Sequence, residues 1–272
     1  MSQPWWRYTK ACVRGISSKF AEGALKLAEP EEAISLTKAK EQHKNYVAAL
    51  KGLGLEVIEI AADDKFPDCV YIEDPAVVCD DTALITVPGH VSRRGETKAV
   101  RIALEKLGLR IVDMVEPAFM DGGDVLFTGR EFFIGITSRT NRESCKFVEK
   151  AFPNYPVTAI DMGESGSVLH LKSCLSMAGP ELIAIGQSET GEECWNAIVN
   201  HGKFKYNKLS VPENIAANVL YINGTLVHQA ASFIPKSIGV LQALNCPKLE
   251  VDMSELAKAD GALTCDSLLI KF

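Results

Sequence analysis

No apolar run in this 272-residue chain approaches the roughly 18 to 20 residues a membrane helix needs, so the membrane is not an expected partner. There is no basic stripe and the formal charge is −6, which argues against nucleic acid. None of the eight cysteines forms a CxxC pair, and neither they nor the five histidines fall at metal-ligand spacing, which argues against a structural zinc site. No serine stands in GxSxG, and neither GxGxxG nor GxxxxGK[ST] occurs, so a nucleophile elbow and the common phosphate loops are absent. The first residues, MSQPWWRYTKACVRG, lack the basic-then-apolar order of a secretory signal. A cytoplasmic protein with reduced thiols is expected, most of them small buried hydrophobes.

What is present is ordinary globular material, 47% hydrophobic and 24% charged, with enough length for a substantial core. Its organisation lies in the turns. Cys69 to His90 reads as two strands around Asp80-Asp81, followed by a helix from about Gly95 to Leu107. VLFTGREFFIGIT turns at Gly129-Arg130 before a helix near Glu143 to Ala151, and HLKSCLSMAGPELIAIG turns at Gly179-Pro180 before one near Glu192 to Asn200. NVLYINGTLVHQ carries an Asn223-Gly224 hairpin signal, with a helix near Pro235 to Leu244. ALTCDSLLIKF ends the chain without a helix, while KACVRGI and a long helix over Glu31 to Leu53 open it. The turns recur about every 43 to 50 residues, a propeller or solenoid period. A helix in every unit argues against an all-β propeller. The reading is one α/β domain, residues 1–272, of five units whose terminal segments together close the ring.

In such a ring the strand ends nearest the axis converge on a pocket. Four units put reactive groups there: Glu73-Asp74 in VYIEDPAVV, Asp121 in MDGGD, His170 opening a strand in SVLHLKS, and Cys265 in the final hairpin, ADGALTCDS. Each alone has a plainer explanation: a packing thiol, a hydrogen-bonded histidine, acids marking a turn, an acid accepting from backbone at a glycine turn. Their equivalent places in different repeats favour chemistry, and Cys265 is the one plausible nucleophile. FMDGGDVLFTGREFFIGITSRTN adds a Gly-Gly pair between acids and an arginine, Arg139, at the next strand's exit. That combination suits a small zwitterion carrying its own cation; the alternative is a hairpin with solvated ends.

CVYIEDPAVV, SRR at Ser92 to Arg94, MDGGDVLFTGREFF with SRTN, LHLKS, PENIAANVLYIN and KADGALTCDS together resemble the dimethylarginine dimethylaminohydrolases, in that family's order and over nine tenths of the chain. The resemblance implies a five-bladed α/β-propeller of the pentein group. It implies conversion of asymmetric dimethylarginine or monomethylarginine to citrulline and a methylated amine, which indirectly relieves inhibition of nitric oxide synthase. By the match, Cys265 attacks the guanidinium carbon to give a covalent thiouronium, His170 protonates the leaving amine and then activates water, and Asp121 holds His170. Glu73 and Asp74 would face the guanidinium, Arg93 and Arg139 the substrate carboxylate, and Asp68 the α-amino group. The segment from Gly15 to Phe20 would be the lid, with Phe20 where a leucine is common, and Ala259 would offer a backbone contact. Asp266 stands where some members carry a second cysteine.

No cofactor is implied, and zinc is expected only as an inhibitor bridging Cys265 and His170. The partner implied is a small molecule, and the chain is read as a monomer or a homodimer. Arginine deiminases carry His-x-Asp, whereas this chain has His170-Leu171-Lys172; the missing acid leaves room for methyl groups. An arginine deiminase and a non-catalytic binding protein of the same fold stay open as alternatives.

Overall fold

The computed structural model describes residues 4–162 and 168–271. Five three-stranded sheets surround a central channel, and each sheet has the same internal order. β1 (Lys10–Arg14), β2 (Glu56–Ile60) and the last strand, β15 (Leu268–Ile270), make the first blade. β3 (Ala76–Cys79), β4 (Thr82–Ile85) and β5 (Arg110–Asp113) make the second, and β6 (Val125–Phe127), β7 (Phe132–Ile136) and β8 (Val157–Asp161) the third. β9 (Leu175–Gly179), β10 (Leu182–Gly186) and β11 (Asn207–Val211) form the fourth; β12 (Leu220–Ile222), β13 (Thr225–Gln229) and β14 (Lys248–Val251) form the fifth.

Within each blade the middle strand pairs antiparallel with an inner strand and parallel with an outer one. A parallel pair needs a crossover, and that geometry gives every unit its helix. Ring closure is visible in the first blade, where Cys12 opposes Leu268 on one side and Ile58 on the other. This is the five-bladed α/β-propeller the repeat predicts, with one addition. The unit is strand-strand-helix-strand. The third strands, such as EVIEI and KLEV, are short and half-exposed, so their weak apolar pattern does not announce them.

The crossover helices follow their sequence signals closely. Glu143–Ala151 buries Ser144, Val148 and Ala151 on one face, and Glu189–His201 buries Cys194 and Ile198. The first long helix starts later than expected, at Leu36, because the Ser35 hydroxyl accepts from Lys38 N and caps it there. Near Pro235 to Leu244 the helix is one short turn, Ile238–Gln242, and the helix expected from Gly95 begins as a 3-10 turn, Val91–Glu96. Asn223 and Gly224 both have positive φ, as a two-residue hairpin demands. In the fourth blade Gly179 ends β9, and Glu181 takes the positive φ in the turn.

Apolar clusters fill the spaces between neighbouring blades, among them Leu84, Met120, Phe132 and Ile134 between the second and third. The channel inside the ring, about 170 Å³, is lined by inner-strand residues and Tyr8 along its walls, and its lining includes Glu73, Lys172 and Thr264.

Candidate active site

One tight turn precedes each inner strand, and the candidate residues stand in those turns. Glu73-Asp74 lie before β3, and Asp121 caps the 3-10 turn Gly122–Asp124 before β6. His170 caps the 3-10 turn Leu171–Ser173 before β9, and Cys265 belongs to the 3-10 turn Leu263–Asp266 before β15. Two expectations are corrected here: His170 does not open a strand, and Cys265 is not in a hairpin, since β15 pairs with β1. Ser167, named with the His170 strand, lies outside the described residues. Short turns suit these groups, because they fix the backbone while aiming side chains inward from the sheet ends.

Asp121 and His170, 49 residues apart, meet through a 3.0 Å bond between Oδ2 and Nε2, both buried. The other oxygen of Asp121 accepts from Gly89 N at 2.9 Å, and Arg139 lies 3.7 Å from Oδ2. The glycine pair is required here: a Cβ on Gly122 would lie 2.1 Å from the Glu73 carbonyl, and one on Gly123 would lie 2.6 Å from His170 Nδ1. Asp124 accepts from Thr140 Oγ1, Thr137 Oγ1 and Leu171 N, which anchors the turn carrying His170. Burial disfavours the imidazolium, but Asp74, Asp124 and Asp121 outweigh it and raise His170 to about 9. Burial in turn raises Asp124 to about 6 against the pull of His170.

Cys265 is partly exposed and tied in by its main chain, its N–H donating to Ala262 O and its carbonyl accepting from Glu73 N at 3.1 Å. Burial, then the charges of Glu73 and Asp74, hold its thiol well above the ordinary range. At rest the Cys265 thiol is neutral. Asp266 is fully buried, neither carboxylate oxygen has a hydrogen-bond partner among the described residues, and burial, then Glu73, hold its carboxyl well above the usual range.

The other expected residues are disposed differently from the sequence reading. Glu73 does not stand free toward a ligand: Lys172 pairs with Oε1 and Thr264 Oγ1 donates to Oε2 at 2.9 Å. Asp74 accepts from Gly123 N at 2.9 Å and from Arg93 at 2.5 Å. Arg93 is 4% exposed and is also bound to Glu96 at 2.8 Å and to the carbonyls of Asp68 and Tyr71. Its fork is spent on the protein, because two buried carboxylates need a counter-ion. The expected grip on a ligand carboxylate is not what this geometry displays. Arg139, with its side chain 16% exposed, keeps more freedom. Asp68 is buried and accepts from Leu25 N, fastening the segment after the Phe20–Gly23 turn. Phe20 itself is fully buried against Tyr71, ring centroids 5.9 Å apart, and Ala259 packs in the same cluster. Both side chains therefore pack in the core.

Removing the Arg93 guanidinium leaves Asp74 and Glu96 buried without their ion-pair partner. Arg93→Ala is expected to cost about 3 to 5 kcal/mol of stability. A thermal melt would register this as a drop of about 10 °C; an unchanged midpoint would mean the pair contributes nothing net.

Among the described residues, Asp74, Asp121 and His170 form the group whose ligand atoms lie within 4.8 Å of one another. Arg93 and Arg139 already stand beside its two acids, so the cluster is balanced by cations of the protein. The sequence reading passed over Lys172 as a partner for Glu73, and Thr264 and Asn218 altogether. Asn218 was findable: residues 74, 121, 170, 218 and 265 follow one another at intervals of 47, 49, 48 and 47.

The family model described as "N,N dimethylarginine dimethylhydrolase, eukaryotic" matches residues 21–201. The Bos taurus protein DDAH2 is 34% identical over 97% of this chain and 95% of its own. An N(G),N(G)-dimethylarginine dimethylaminohydrolase of Streptomyces coelicolor is 35% identical over 96% of this chain and 97% of its own. Among solved structures, a Cys→Ser mutant of Pseudomonas aeruginosa DDAH complexed with citrulline superposes with a TM-score of 0.84 at 26% identity, covering 97% of this chain and 100% of that one. With the turn-borne thiol, imidazole and acids arranged inside a five-bladed ring, this chain belongs to the dimethylarginine dimethylaminohydrolase family.

Proposed function

We propose that this protein hydrolyses N-omega-methylated arginines to citrulline and a methylated amine. The observation that carries the reading is the buried Asp121–His170 pair, set in the same ring of turns as Cys265. The names of the Streptomyces coelicolor relative and the citrulline in the Pseudomonas aeruginosa complex support the same chemistry.

The reaction follows from the charges. A guanidinium carbon is a poor electrophile, and a thiolate is the side chain best suited to attack it. The resting thiol of Cys265 is protonated because burial, and then the charges of Glu73 and Asp74, disfavour the thiolate. An arriving guanidinium reverses that balance, since its positive charge favours the thiolate in a poorly screened pocket, and the thiol proton passes to solvent, to be regained when the C–S bond later breaks. Sulfur attacks the guanidinium carbon, and the C–N bond to the methylated nitrogen breaks. His170, protonated at neutral pH, gives its proton to the departing amine. The neutral imidazole then takes a proton from water, whose oxygen adds to the thiouronium carbon. The C–S bond breaks and citrulline leaves. Asp121 orients the imidazole throughout and steadies its charged form. The residues of the chain supply every step, so no cofactor is invoked, and zinc enters as an inhibitor on Cys265 and His170.

Lys172 carries the preference for methylated substrate. It stands where the deiminases have an acid, and its ammonium occupies Oε1 of Glu73. One guanidinium nitrogen is then left without a carboxylate, which tolerates methyl groups in place of N–H donors. Arg139 is the candidate for the substrate carboxylate, and Asp74 for the unmethylated nitrogens.

The test is citrulline release from asymmetric dimethylarginine, with arginine and symmetric dimethylarginine in parallel. Release from the asymmetric substrate alone is expected. Faster release from arginine would move the protein to the deiminases, and none from any of them, in folded reduced protein, would favour a binding protein.

A further inference from the structure

Asn218 stands at the fifth equivalent position of the ring, in the turn before β12, where the other four units carry Asp74, Asp121, His170 and Cys265. It is 1% exposed, and its side chain makes three bonds. Oδ1 accepts from Thr264 N at 3.0 Å; Nδ2 donates to Thr264 Oγ1 at 3.1 Å and to Lys172 O at 2.8 Å. Thr264 adjoins Cys265, and Lys172 is two residues from His170. One amide therefore clamps the turn bearing the thiol to the turn bearing the imidazole.

The clamp is itself held. Ser176 Oγ shares its one hydrogen between Ala217 O at 2.7 Å and Val219 O at 3.0 Å, and accepts from Val219 N at 2.8 Å, so the backbone on either side of Asn218 is fixed to β9. The bonds also close a circuit: Asn218 to Thr264, Thr264 to Glu73, Glu73 to Lys172, and the Lys172 carbonyl back to Asn218. An amide fits this place because it supplies an acceptor and two donors in one plane. Aspartate would lack the donors, and leucine would leave the Thr264 N–H buried and unpaired.

We infer that Asn218 is a positioning residue for the reaction, setting the placement of Cys265 relative to His170 and Glu73. This rests on the reading of Cys265 as nucleophile and His170 as acid. It predicts a loss in the chemical step and not in binding, because the side chain acts through Thr264 and Lys172.

The experiment compares Asn218→Ala and Asn218→Asp with the unaltered enzyme on asymmetric dimethylarginine. Asn218→Asp keeps the shape and one acceptor but loses both N–H donors, so it stays informative should the alanine variant fail to fold. For each folded variant kcat is expected to fall about 10²-fold, the usual result of a small misplacement, with KM within about threefold. A cycle with Thr264→Val checks the route. If Asn218 acts through Thr264, the double variant loses far less than the product of the two single losses. The rate of Cys265 alkylation by iodoacetamide against pH should shift in both Asn218 variants, a readout that packing alone would not move. A kcat within about threefold of the parent, a loss carried by KM, or multiplicative losses would overturn the inference. Failure of the underlying reading looks different: the parent protein would release no citrulline.

Discussion

Cys265→Ser is expected to lower citrulline release by at least about 10⁴-fold, since knocking out a nucleophile alone removes most of the machinery's effect. A serine hydroxyl is not ionised by an approaching guanidinium, so the step that the arriving cation makes possible for a thiol is closed to it. The fold should survive. The described bonds of Cys265 are main-chain bonds, from its N–H to Ala262 O and to its carbonyl from Glu73 N, and serine preserves both. The melting midpoint should stay within about 3 °C. Labelling by a haloacetamidine should vanish in Cys265→Ala, although seven other cysteines remain. Cys12, Cys69, Cys79, Cys174 and Cys194 are buried. Retained turnover in the serine variant would remove the covalent mechanism, and retained labelling would assign the reactive thiol elsewhere.

The second large effect concerns His170. His170→Asn should slow hydrolysis of asymmetric dimethylarginine about 10³-fold, the usual worth of a positioned acid and base. The pH profile separates this role from a structural one. His170 is raised to about 9, so it holds its proton throughout the neutral range and loses it as pH climbs through that value. An alkaline limb near pH 9 is therefore expected in the parent enzyme and should be missing from the residual activity of the variant. A substrate with a thiol leaving group sharpens the test, because its departure needs little help from an acid. The variant should still form the Cys265 adduct and then stall, for want of a base to activate water. Mass spectrometry of the intact protein would read that accumulation. A variant that forms no adduct with such a substrate would mean His170 serves the attack itself.

These expectations also bear on how charge is arranged at the site. Asp74, Glu73, Asp121 and Asp124 are buried close to His170 and Cys265, and each has a cation or several donors of its own. Unpaired, so many buried carboxylates would take up protons. Arg93 and Lys172 keep Asp74 and Glu73 compensated. The same acids that suppress the resting thiolate therefore stay poised to receive a cationic ligand.

How much of this the sequence disclosed depended on distance along the chain. Turn chemistry is local: Asn223-Gly224 and Gly129 have the positive φ their residue types promise, and Ser35 caps its helix through Lys38, three residues on. Helix faces are local too, as Val148 and Ala151 show. The repeat of turns is a property of spacing, and with it came the ring and the shared position of Asp74, Asp121, His170 and Cys265; the family likeness came from the motifs themselves. The weak outer strands escaped because four or five half-exposed residues carry little pattern.

Partnership could not be read in that way. Nothing near Arg93 in sequence says that Asp74 would claim it, and the Lys172 ammonium finds Glu73 across 99 residues. Phe20 is as consistent with a lid as with a core until Tyr71 is placed against it. The interval along the chain marks the position of Asn218, but its bonding partners appear only when Thr264 and Lys172 arrive on either side. The sequence by itself determined the repeat, its turns and the reactive groups in them, because those follow from neighbours a few residues away. Tertiary structure alone decided which buried charge meets which counter-ion, because closing the ring brings blades 47 or more residues apart into hydrogen-bonding reach, and a buried polar group must take the partner it finds there.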